Sequence, residues 1–570
     1  MVSTQLVLIS LLSFIGSNVL ANEYPTRFEG VTWDDENWRI TSEVLAQGQY
    51  QSRMSLANGY LGINLAALGP FFEVEVPVDG DDINGWPLFD RRQTFATIAG
   101  FYDSQPRTNG TNFAWLYQYG GESVISGVPH WAGLTIDYKG TTLNASTPPE
   151  QISGFKTVLD MGAGTMEWSY AWSPADDVVL DVHYCALVHK LLLNVGVVEL
   201  TITNQRSANA KLTVTDVLDG DCAVRTDFVN SGFEGDGTIF TAVSPNGLSN
   251  VTAYIYSTLV ANQGRTPTTE VKSGAGGVGN NQSSIGQEYS FSLDAGQCST
   301  IVKYVGGASS DAFQNPQAVA KAASQNAASQ GFSKLYSSHV GEWNVVMPQD
   351  SVDDYTFPNN GTLPNDPNII ELQIGSVVNP FNLLQNTQSA NAVSAAQKTY
   401  NANDSLDTNS IAVGGLGSDS YAGFIFWDAE VWMGPGLVVA HPEAAKQIAA
   451  YRAKLLPQAQ ANIKTAFTSS QNETGKFSGG AVYPWTSGRF GNCTGTGPCF
   501  DYEYHINGDI GLELFNYYVA SGDTPYFNST LFPIYDDIAY FYSELLTYNS
   551  STQLYELTNA TDPVSTSLSI

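Results

Sequence analysis

The stretch VGGLGSDSYAGFIFWDAEVWMGP, residues 413–435, decides how the rest of the chain is interpreted. Its first part, residues 413–418, is rich in glycine and predicts a turn-forming loop. Its second part, residues 424–433, sets Phe, Ile, Trp and Val around two carboxylates, Asp428 and Glu430. Flat aromatic rings cover the C–H faces of a sugar ring, and fixed carboxylates accept hydrogen bonds from its hydroxyls. The stretch therefore indicates a sugar site; the alternative is a buried helix start whose acids cap backbone N–H groups.

The bulk composition predicts a folded chain of several domains. Its 570 residues are too many for one core, so roughly two to four domains are expected. The chain is 43% hydrophobic and 12% aromatic, which is not the composition of a disordered protein. Acidic residues outnumber basic ones by 55 to 24, and a net charge of −31 repels nucleic acid and anionic membranes. The charge suits a neutral substrate or an acidic medium, although solubility alone would explain it equally well.

The N-terminus predicts secretion. An apolar run at residues 6–15, followed by the small-residue site Val19-Leu20-Ala21, indicates a signal peptide over residues 1–21, although no Lys or Arg precedes the run. The run is too short for a membrane span, and no later segment approaches one. Many glycosylation sequons agree with an extracellular protein of the medium, the cell wall or a vacuole. They lie at Asn109, Asn144, Asn250, Asn281, Asn360, Asn403, Asn472, Asn492, Asn528, Asn549 and Asn559.

The cysteines and histidines indicate a disulfide and no metal. Cys493 and Cys499 bracket a short Gly-Thr-Pro loop and are predicted to pair in an oxidising compartment. An odd cysteine remains among the other three, which are Cys185, Cys222 and Cys298. The six histidines are spread out with no HExxH pattern, so neither a metal nor a cofactor is expected. A cluster of His505 with Glu503 and Asp509 is the metal alternative.

The sequence pattern along the chain predicts a multidomain α+β protein in three parts. Residues 22–305 are rich in short β-branched runs separated by turns, as in a large antiparallel β-sandwich. Residues 306–410 form a helical linker, with helices predicted over 316–330, 332–346 and 368–400, the last interrupted at Pro380. Residues 411–570 are predicted to be helical hairpins separated by long aromatic loops.

Within the helical hairpins, local signals set the expected boundaries. A helix is predicted to begin at Pro442, and Pro457 is expected to start the next one. Another helix is predicted over residues 509–520, stopped by Ser521-Gly522-Asp523. Apolar residues then recur at helical spacing, at Ile534, Ile538, Phe541 and Leu545.

Elimination leaves carbohydrate chemistry as the best hypothesis. The chain has no G-x-S-x-G nucleophile elbow and no dinucleotide- or phosphate-loop pattern. Carboxylates among aromatic residues are typical of glycoside cleavage. The candidates are Asp428, Glu430, Glu503 and Asp509, and residue types alone do not rank them.

The order of the motifs resembles that of the fungal acid trehalases of glycoside hydrolase family sixty-five. The resemblance runs in order from about residue 25 to about residue 563. It rests on GYLG at 59–62, NGWPLFDRRQTFATIAGFYDSQP at 84–106, YGGESVISGVPHW at 119–131, VGGLGSDSYAG at 413–423, FWDAEVWMGP at 426–435, GGAVYPW at 479–485 and YHINGDI at 504–510. It implies an N-terminal β super-sandwich, a helical linker and an (α/α)6 barrel, of which residues 411–570 are part. It also implies hydrolysis of α,α-trehalose with inversion, by a carboxylic acid and a carboxylate base on opposite sides of the scissile bond.

The resemblance also implies which residues bind the substrate. The Trp-Asp pair of the FWD motif contacts the sugar in this family, which points to Trp427 and Asp428. The YPW and HINGD loops line the same pocket, which points to Tyr483, Trp485, His505 and Asp509. Glu430 is a further candidate for substrate binding, with a role in bracing the loop as its alternative.

The C-terminus departs from the family pattern. The family places its catalytic acid in a motif close to T-D-P-D-E-Y, and here Thr561-Asp562-Pro563 is followed by VSTSLSI, residues 564–570. The expectation is a chain without general acid, general base or the later half of the barrel, either from a truncated gene model or as a true short form. Such a chain should lack trehalase activity and leave the 534–545 stripe facing water. The alternatives are a non-catalytic sugar-binding protein and a disaccharide phosphorylase of the same family.

Overall fold

The structure, a computed structural model, describes residues 23–49, 53–75, 93–104, 123–206, 209–261, 266–267, 269–464, 477–492, 503–557 and 560. The predicted signal peptide, the two cysteines of the predicted disulfide and the C-terminal residues 561–570 lie outside these ranges.

The N-terminal region is built from antiparallel strands, as the sequence predicted. Within the described residues, one sheet has eleven strands in the order β1-β2-β3-β9-β10-β11-β12-β19-β16-β15-β14, and a second has five in the order β17-β18-β13-β7-β8. A third, small sheet contains β4, β5 and β6. The strands are β1 Glu23–Pro25, β2 Val31–Asp34, β3 Arg39–Ser42, β4 Met54–Ala57, β5 Leu61–Leu65, β6 Ala96–Ile98, β7 Leu134–Tyr138, β8 Thr141–Leu143, β9 Ile152–Asp160, β10 Thr165–Ala175, β11 Val178–Val188, β12 Val195–Asn204, β13 Ala210–Leu218, β14 Thr226–Gly235, β15 Thr238–Pro245, β16 Ala253–Ala261, β17 Thr269–Lys272, β18 Ile285–Leu293 and β19 Cys298–Ser309.

The two larger sheets pack face to face around an apolar core. Strand β13 shows the alternation that this packing requires: Leu212 and Val214 are buried, whereas Lys211, also on β13, is exposed. A buried ion pair also joins the sheets: the Lys303 ammonium on β19 lies 2.7 Å from the Asp216 carboxylate on β13. The Lys303 ammonium also donates to two backbone carbonyls on the side of the five-stranded sheet, so acceptors surround its charge.

The rest of the chain is helical. The linker and the C-terminal region contain α1 Pro316–Gln330, α2 Phe332–Val346, α3 Pro367–Leu384, α4 Ala390–Tyr400, α5 Gly434–Val438, α6 Pro442–Asn462, α7 His505–Ser521, α8 Thr524–Tyr526 and α9 Phe532–Leu545. Two π-helical turns occur at Ala429–Met433 and Phe527–Leu531, and short 3-10 turns at Pro149–Gln151, Gly220–Cys222, Gln349–Ser351 and Ser420–Gly423. Strands β20 Thr547–Asn549 and β21 Leu554–Glu556 form a hairpin after α9. Helix α1 packs on β19 and β16 and so fixes the linker to the sandwich.

Two prolines lie inside helices where the sequence predicted boundaries. Pro380 lies within α3, which ends at Leu384, so the predicted interruption at Pro380 is wrong. Pro457 lies within α6 and does not begin a new segment. Proline removes one backbone donor from a helix, and here the burial of neighbouring Leu455 and Ala459 outweighs that loss. Helix α7 also begins four residues before the predicted start at Asp509.

The expected exposure of the 534–545 stripe is wrong. Ile534, Ile538, Phe541 and Leu545 are all buried, because α9 packs with α7 and with the loop that carries Phe477. The apolar stripe that faces water is instead on α7, where Leu512, Phe515 and Val519 are 58%, 45% and 65% exposed.

Among the residues that the structure describes, no helix is both long enough and apolar enough to cross a membrane.

Candidate functional site

A strained turn positions the aromatic stretch at residues 424–427. Tyr421 and Ala422 have φ of 53° and 57°, in the left-handed region that few residues other than glycine adopt. The β-sandwich holds this turn, since Ile125 N donates to Ala422 O at 3.0 Å and the Tyr102 hydroxyl donates to Gly423 O. A Cβ atom at position 423 would lie 2.5 Å from Ile125, so only glycine fits there. Strain retained by surrounding contacts is a common feature of binding sites.

Trp427 and Asp428 follow the turn and remain accessible. Trp427 is half-buried, and its ring meets the His505 ring edge to face at 6.1 Å and the Trp432 ring at 5.7 Å. Asp428 is also half-buried, and within the described residues its carboxylate has only its own backbone amide as a donor. Burial raises the pKa of Asp428. An accessible carboxylate with few internal donors beside an aromatic ring can accept hydroxyl groups of a bound sugar.

His505, at the start of α7, is held between two carboxylates. Its Nδ1 lies 2.6 Å from Asp509 Oδ2, one helical turn onward, and its Nε2 lies 3.2 Å from Glu503 Oε2. Burial lowers the pKa of His505, but the hydrogen bond to Asp509 and the charge of Glu503 outweigh burial and raise it to about 9. The imidazole is therefore a cation at neutral and acidic pH, and it serves as a donor and not as a base.

Glu430 and Tyr483 lie behind these residues, in the protein interior. Both Glu430 oxygens accept from Arg452 on α6, at 2.6 Å from Nε and 2.9 Å from Nη2, and the two side chains are each 1% exposed. The Tyr483 hydroxyl donates to the Arg452 carbonyl at 2.9 Å, and its backbone N donates to Asn507 Oδ1 at 2.8 Å. This arrangement connects the π-helical turn, α6 and α7 below the accessible surface.

Trp485 completes an aromatic cluster next to Trp427. Its ring meets Phe426 edge to face at 5.4 Å, and Phe426 meets Tyr421 in the same way at 5.9 Å. The Trp485 indole N–H is buried and has no hydrogen-bond acceptor in the described part of the chain. The structure thus brings together all seven predicted site residues, with Trp427, Asp428, Trp485, His505 and Asp509 partly accessible and Glu430 and Tyr483 buried.

Two charged residues of this region were not predicted. They are Arg452 on α6 and Glu513 on α7. The Glu513 side chain is buried against Gly434, and neither of its carboxylate oxygens is hydrogen-bonded within the described residues. Burial, with a smaller effect from the Glu430 charge, raises the pKa of Glu513 to about 8. Glu513 follows His505 and Asp509 at four-residue spacing, so the sequence carried a signal that these three share one helix face.

The remaining predicted sites are only partly within the structure. Cys185, Cys222 and Cys298 are free thiols, the first two buried. Cys493, Cys499, Asn109, Asn472 and Asn559 lie outside the described residues. The other sequon asparagines are at least partly accessible, namely Asn144, Asn250, Asn281, Asn360, Asn403, Asn492, Asn528 and Asn549. Across the described ranges, no three His, Cys, Asp or Glu residues are grouped so as to hold a metal ion.

Comparison with known proteins gives consistent matches over both regions. The profile "Glycosyl hydrolase family 65, N-terminal domain" matches residues 40–346, and "Glycosyl hydrolase family 65 central catalytic domain" matches residues 393–565. A cell wall acid trehalase of Arthroderma benhamiae is 50% identical over 543 residues, which are 95% of this chain and 50% of that protein. An acid trehalase of Emericella nidulans is 50% identical over 545 residues, 95% of this chain and 51% of that protein. The chain thus spans about half the length of these curated relatives.

A solved structure supports the fold. A protein described as a kojibiose phosphorylase from the human microbiome aligns with a TM-score of 0.71 at 16% identity, over 95% of this chain and 63% of that one. At this identity the likeness concerns the fold alone, and it agrees with an antiparallel sandwich followed by a helical region.

Proposed function

Because this chain belongs to glycosyl hydrolase family 65, we propose that its site is a substrate site of the acid trehalase type and that it binds α,α-trehalose. Two fungal acid trehalases share half of its residues over 95% of its length, which supports this choice of substrate. Several relatives are named as cell-wall or periplasmic enzymes, which supports secretion to the cell wall.

The observation that carries the proposal is the accessible group of Trp427, Asp428 and His505. The Trp427 ring can cover one face of a glucose unit, while the Asp428 carboxylate accepts its hydroxyl protons. Asp509 and Glu503 hold the His505 cation, and the His505 ring packs against the Trp427 ring and so fixes its position. A positioned aromatic ring beside an accessible carboxylate is the arrangement that supports the proposed sugar binding. Glu430 and Tyr483 act in this proposal as supports that hold the loop.

The proposed chemistry is hydrolysis with inversion. It requires a general acid at the glycosidic oxygen and a general base that activates water on the opposite face of the sugar. We assign neither role to a described residue: both His505 nitrogens face carboxylates, Glu430 is engaged by Arg452, and the Glu513 side chain is buried against Gly434. We therefore propose that this chain binds trehalose without cleaving it.

Isothermal titration of residues 22–570 with trehalose tests the binding. We expect saturable binding that Asp428→Asn weakens about tenfold or more, since one hydrogen bond to a charged group is worth about 1.5–3 kcal/mol. Asp404→Asn, at an exposed loop position, is the matched control and should bind like the parent chain. Equal affinity in the Asp428 and Asp404 variants would contradict the assignment of the site.

A glucose-release assay tests the second part of the proposal. The purified chain should release no glucose from trehalose at acidic or neutral pH, with or without added phosphate. Glucose release would contradict the proposal of binding without cleavage. Formation of a glucose phosphate only when phosphate is added would instead support a phosphorylase.

A further inference from the structure

A cavity of about 310 Å³ lies where the sandwich, the linker and the helical region meet. Its walls include Tyr102 and Gly100 from the sandwich, residues 409–412 of the linker, and Lys454 and Arg489 from the helical region. None of the seven residues of the proposed sugar site lines it. A volume near 300 Å³ is at the lower end of ligand pockets, so an occupant would be a small molecule.

Lys454 lines this cavity and is exposed to solvent. The protein atoms around Lys454 lower its pKa, and the nearby Arg489 charge lowers the pKa further. Within the described residues, Lys454 makes no hydrogen bond or ion pair of its own.

The carboxylate that lines the cavity, Asp311, is already engaged. Both oxygens of Asp311 accept from the Arg489 guanidinium, each at 2.7 Å. Of the residues that line the cavity, Asp311, Arg489 and Lys454 carry charge, so the cavity has a net positive charge in a chain of net charge −31. This excess of positive charge attracts an anion into the cavity.

Neutral hydrogen-bonding groups beside Lys454 are also unused. In the described part of the chain, neither the Asn409 side-chain amide nor the buried Ser410 hydroxyl has a hydrogen-bond partner. Both residues line the cavity. An ammonium, an amide and a hydroxyl are together the donors that an oxyanion requires.

We propose that this cavity binds a small oxyanion, a carboxylate or a phosphate, through Lys454 and Asn409 with Arg489 in support. The ligand would join the linker to the helical region and so stabilise their packing. The proposal is independent of the sugar site, since it uses none of the same side chains.

Calorimetric titration of the full chain with inorganic phosphate and with citrate, at pH 5.5 and constant ionic strength, tests the proposal. We expect saturable binding of at least one of them, and a melting temperature that rises with its concentration. The relative affinity of the two probes tells whether phosphate or carboxylate is preferred. Lys454→Met should weaken binding at least tenfold, whereas Lys334→Met, an equal loss of charge at an exposed position, should not.

Two results would overturn the proposal. One is the absence of saturable binding of either anion by the parent chain. The other is an equal response of the parent chain and a folded Lys454→Met variant, because the effect would then be general screening of the −31 charge. If Lys454→Met does not fold, phosphorus NMR of phosphate with the parent chain replaces that comparison. We then expect the parent chain to broaden the phosphate line, and trace citrate but not chloride to reverse the broadening. The absence of broadening would overturn the proposal.

Discussion

The buried pair of Glu430 and Arg452 gives the sharpest prediction about how the sugar site is supported. Both side chains are 1% exposed, and two hydrogen bonds of 2.6 Å and 2.9 Å join them. Removing either partner leaves a buried charge without its counterion, which costs about 3–5 kcal/mol. Two charge-assisted hydrogen bonds at about 1.5–3 kcal/mol each give a similar magnitude. We therefore expect Glu430→Leu and Arg452→Met each to lower the unfolding free energy of the helical region by about 3–5 kcal/mol.

The double variant separates the charge from the packing. Leu and Met together remove both charges and leave an apolar pair, so the double variant should be more stable than either single variant. The coupling energy of the double-mutant cycle should be about 3 kcal/mol. Scanning calorimetry is the appropriate assay because a chain of several domains need not unfold in one step. Glu371→Gln, which breaks the exposed contact with Arg27, is the control and should leave the transition unchanged. A coupling energy below about 1 kcal/mol would refute the reasoning.

The same variants test the role of Glu430. If it only supports the π-helical turn, the double variant should bind trehalose within about threefold of the parent chain, about 0.7 kcal/mol. If Glu430 contacts the sugar, binding should be lost in the double variant although its fold is restored. We expect the first result, because both oxygens of Glu430 are already taken by Arg452.

Two further predictions concern His505 and Glu513, whose pKa values are raised in the folded protein. The pKa of His505 is raised to about 9, so its ion contacts stabilise the fold fully below pH 6.5. This contribution of up to about 3 kcal/mol is lost as the pH rises through 9. His505→Gln should remove that part of the pH dependence of urea unfolding, and an unchanged pH profile would contradict the prediction. The pKa of Glu513 is raised to about 8, so the protonated Glu513 contributes its full share of stability below the pKa it has in the unfolded chain, and that share is lost as the pH rises through 8. Glu513→Gln, which resembles the protonated acid, should be more stable than the parent chain above pH 8 and nearly equal to it below pH 5. Lower stability of this variant at both pH values would argue against a neutral buried acid.

The elements with strong local signals were predictable from the sequence. The alternating β-branched strands and the first two helices, bounded by Pro316, Gln330, Phe332 and Val346, lie as predicted. Local signals failed where packing overrode them. Pro380 predicted a helix interruption and Pro457 a helix start, but each lies inside a helix that is held by its buried residues.

The candidate site shows what a sequence leaves open about electrostatics. The motif order indicated which residues lie together, but no local pattern links Glu430 to Arg452, because the two meet only when α6 packs against the π-helical turn. Arg452 falls between Ile448 and Leu455 on the buried face of α6, and a charge at such a position signals a buried partner without naming it. Glu513 could have been found, since it continues the four-residue spacing of His505 and Asp509.

These charges together explain how the site could work in an acidic medium. Around the site, the Arg452 and His505 cations oppose the carboxylates of Glu430, Glu503 and Asp509, while Glu513 is protonated below a pH of about 8. The pKa of His505 is raised to about 9, so the imidazole that packs against Trp427 is a cation at both neutral and acidic pH. The Asp428 carboxylate has few donors within the described residues, and burial raises its pKa. The proposed binding of trehalose should therefore weaken when Asp428 becomes protonated, because the protonated acid loses its charge-assisted hydrogen bonds to the sugar hydroxyls.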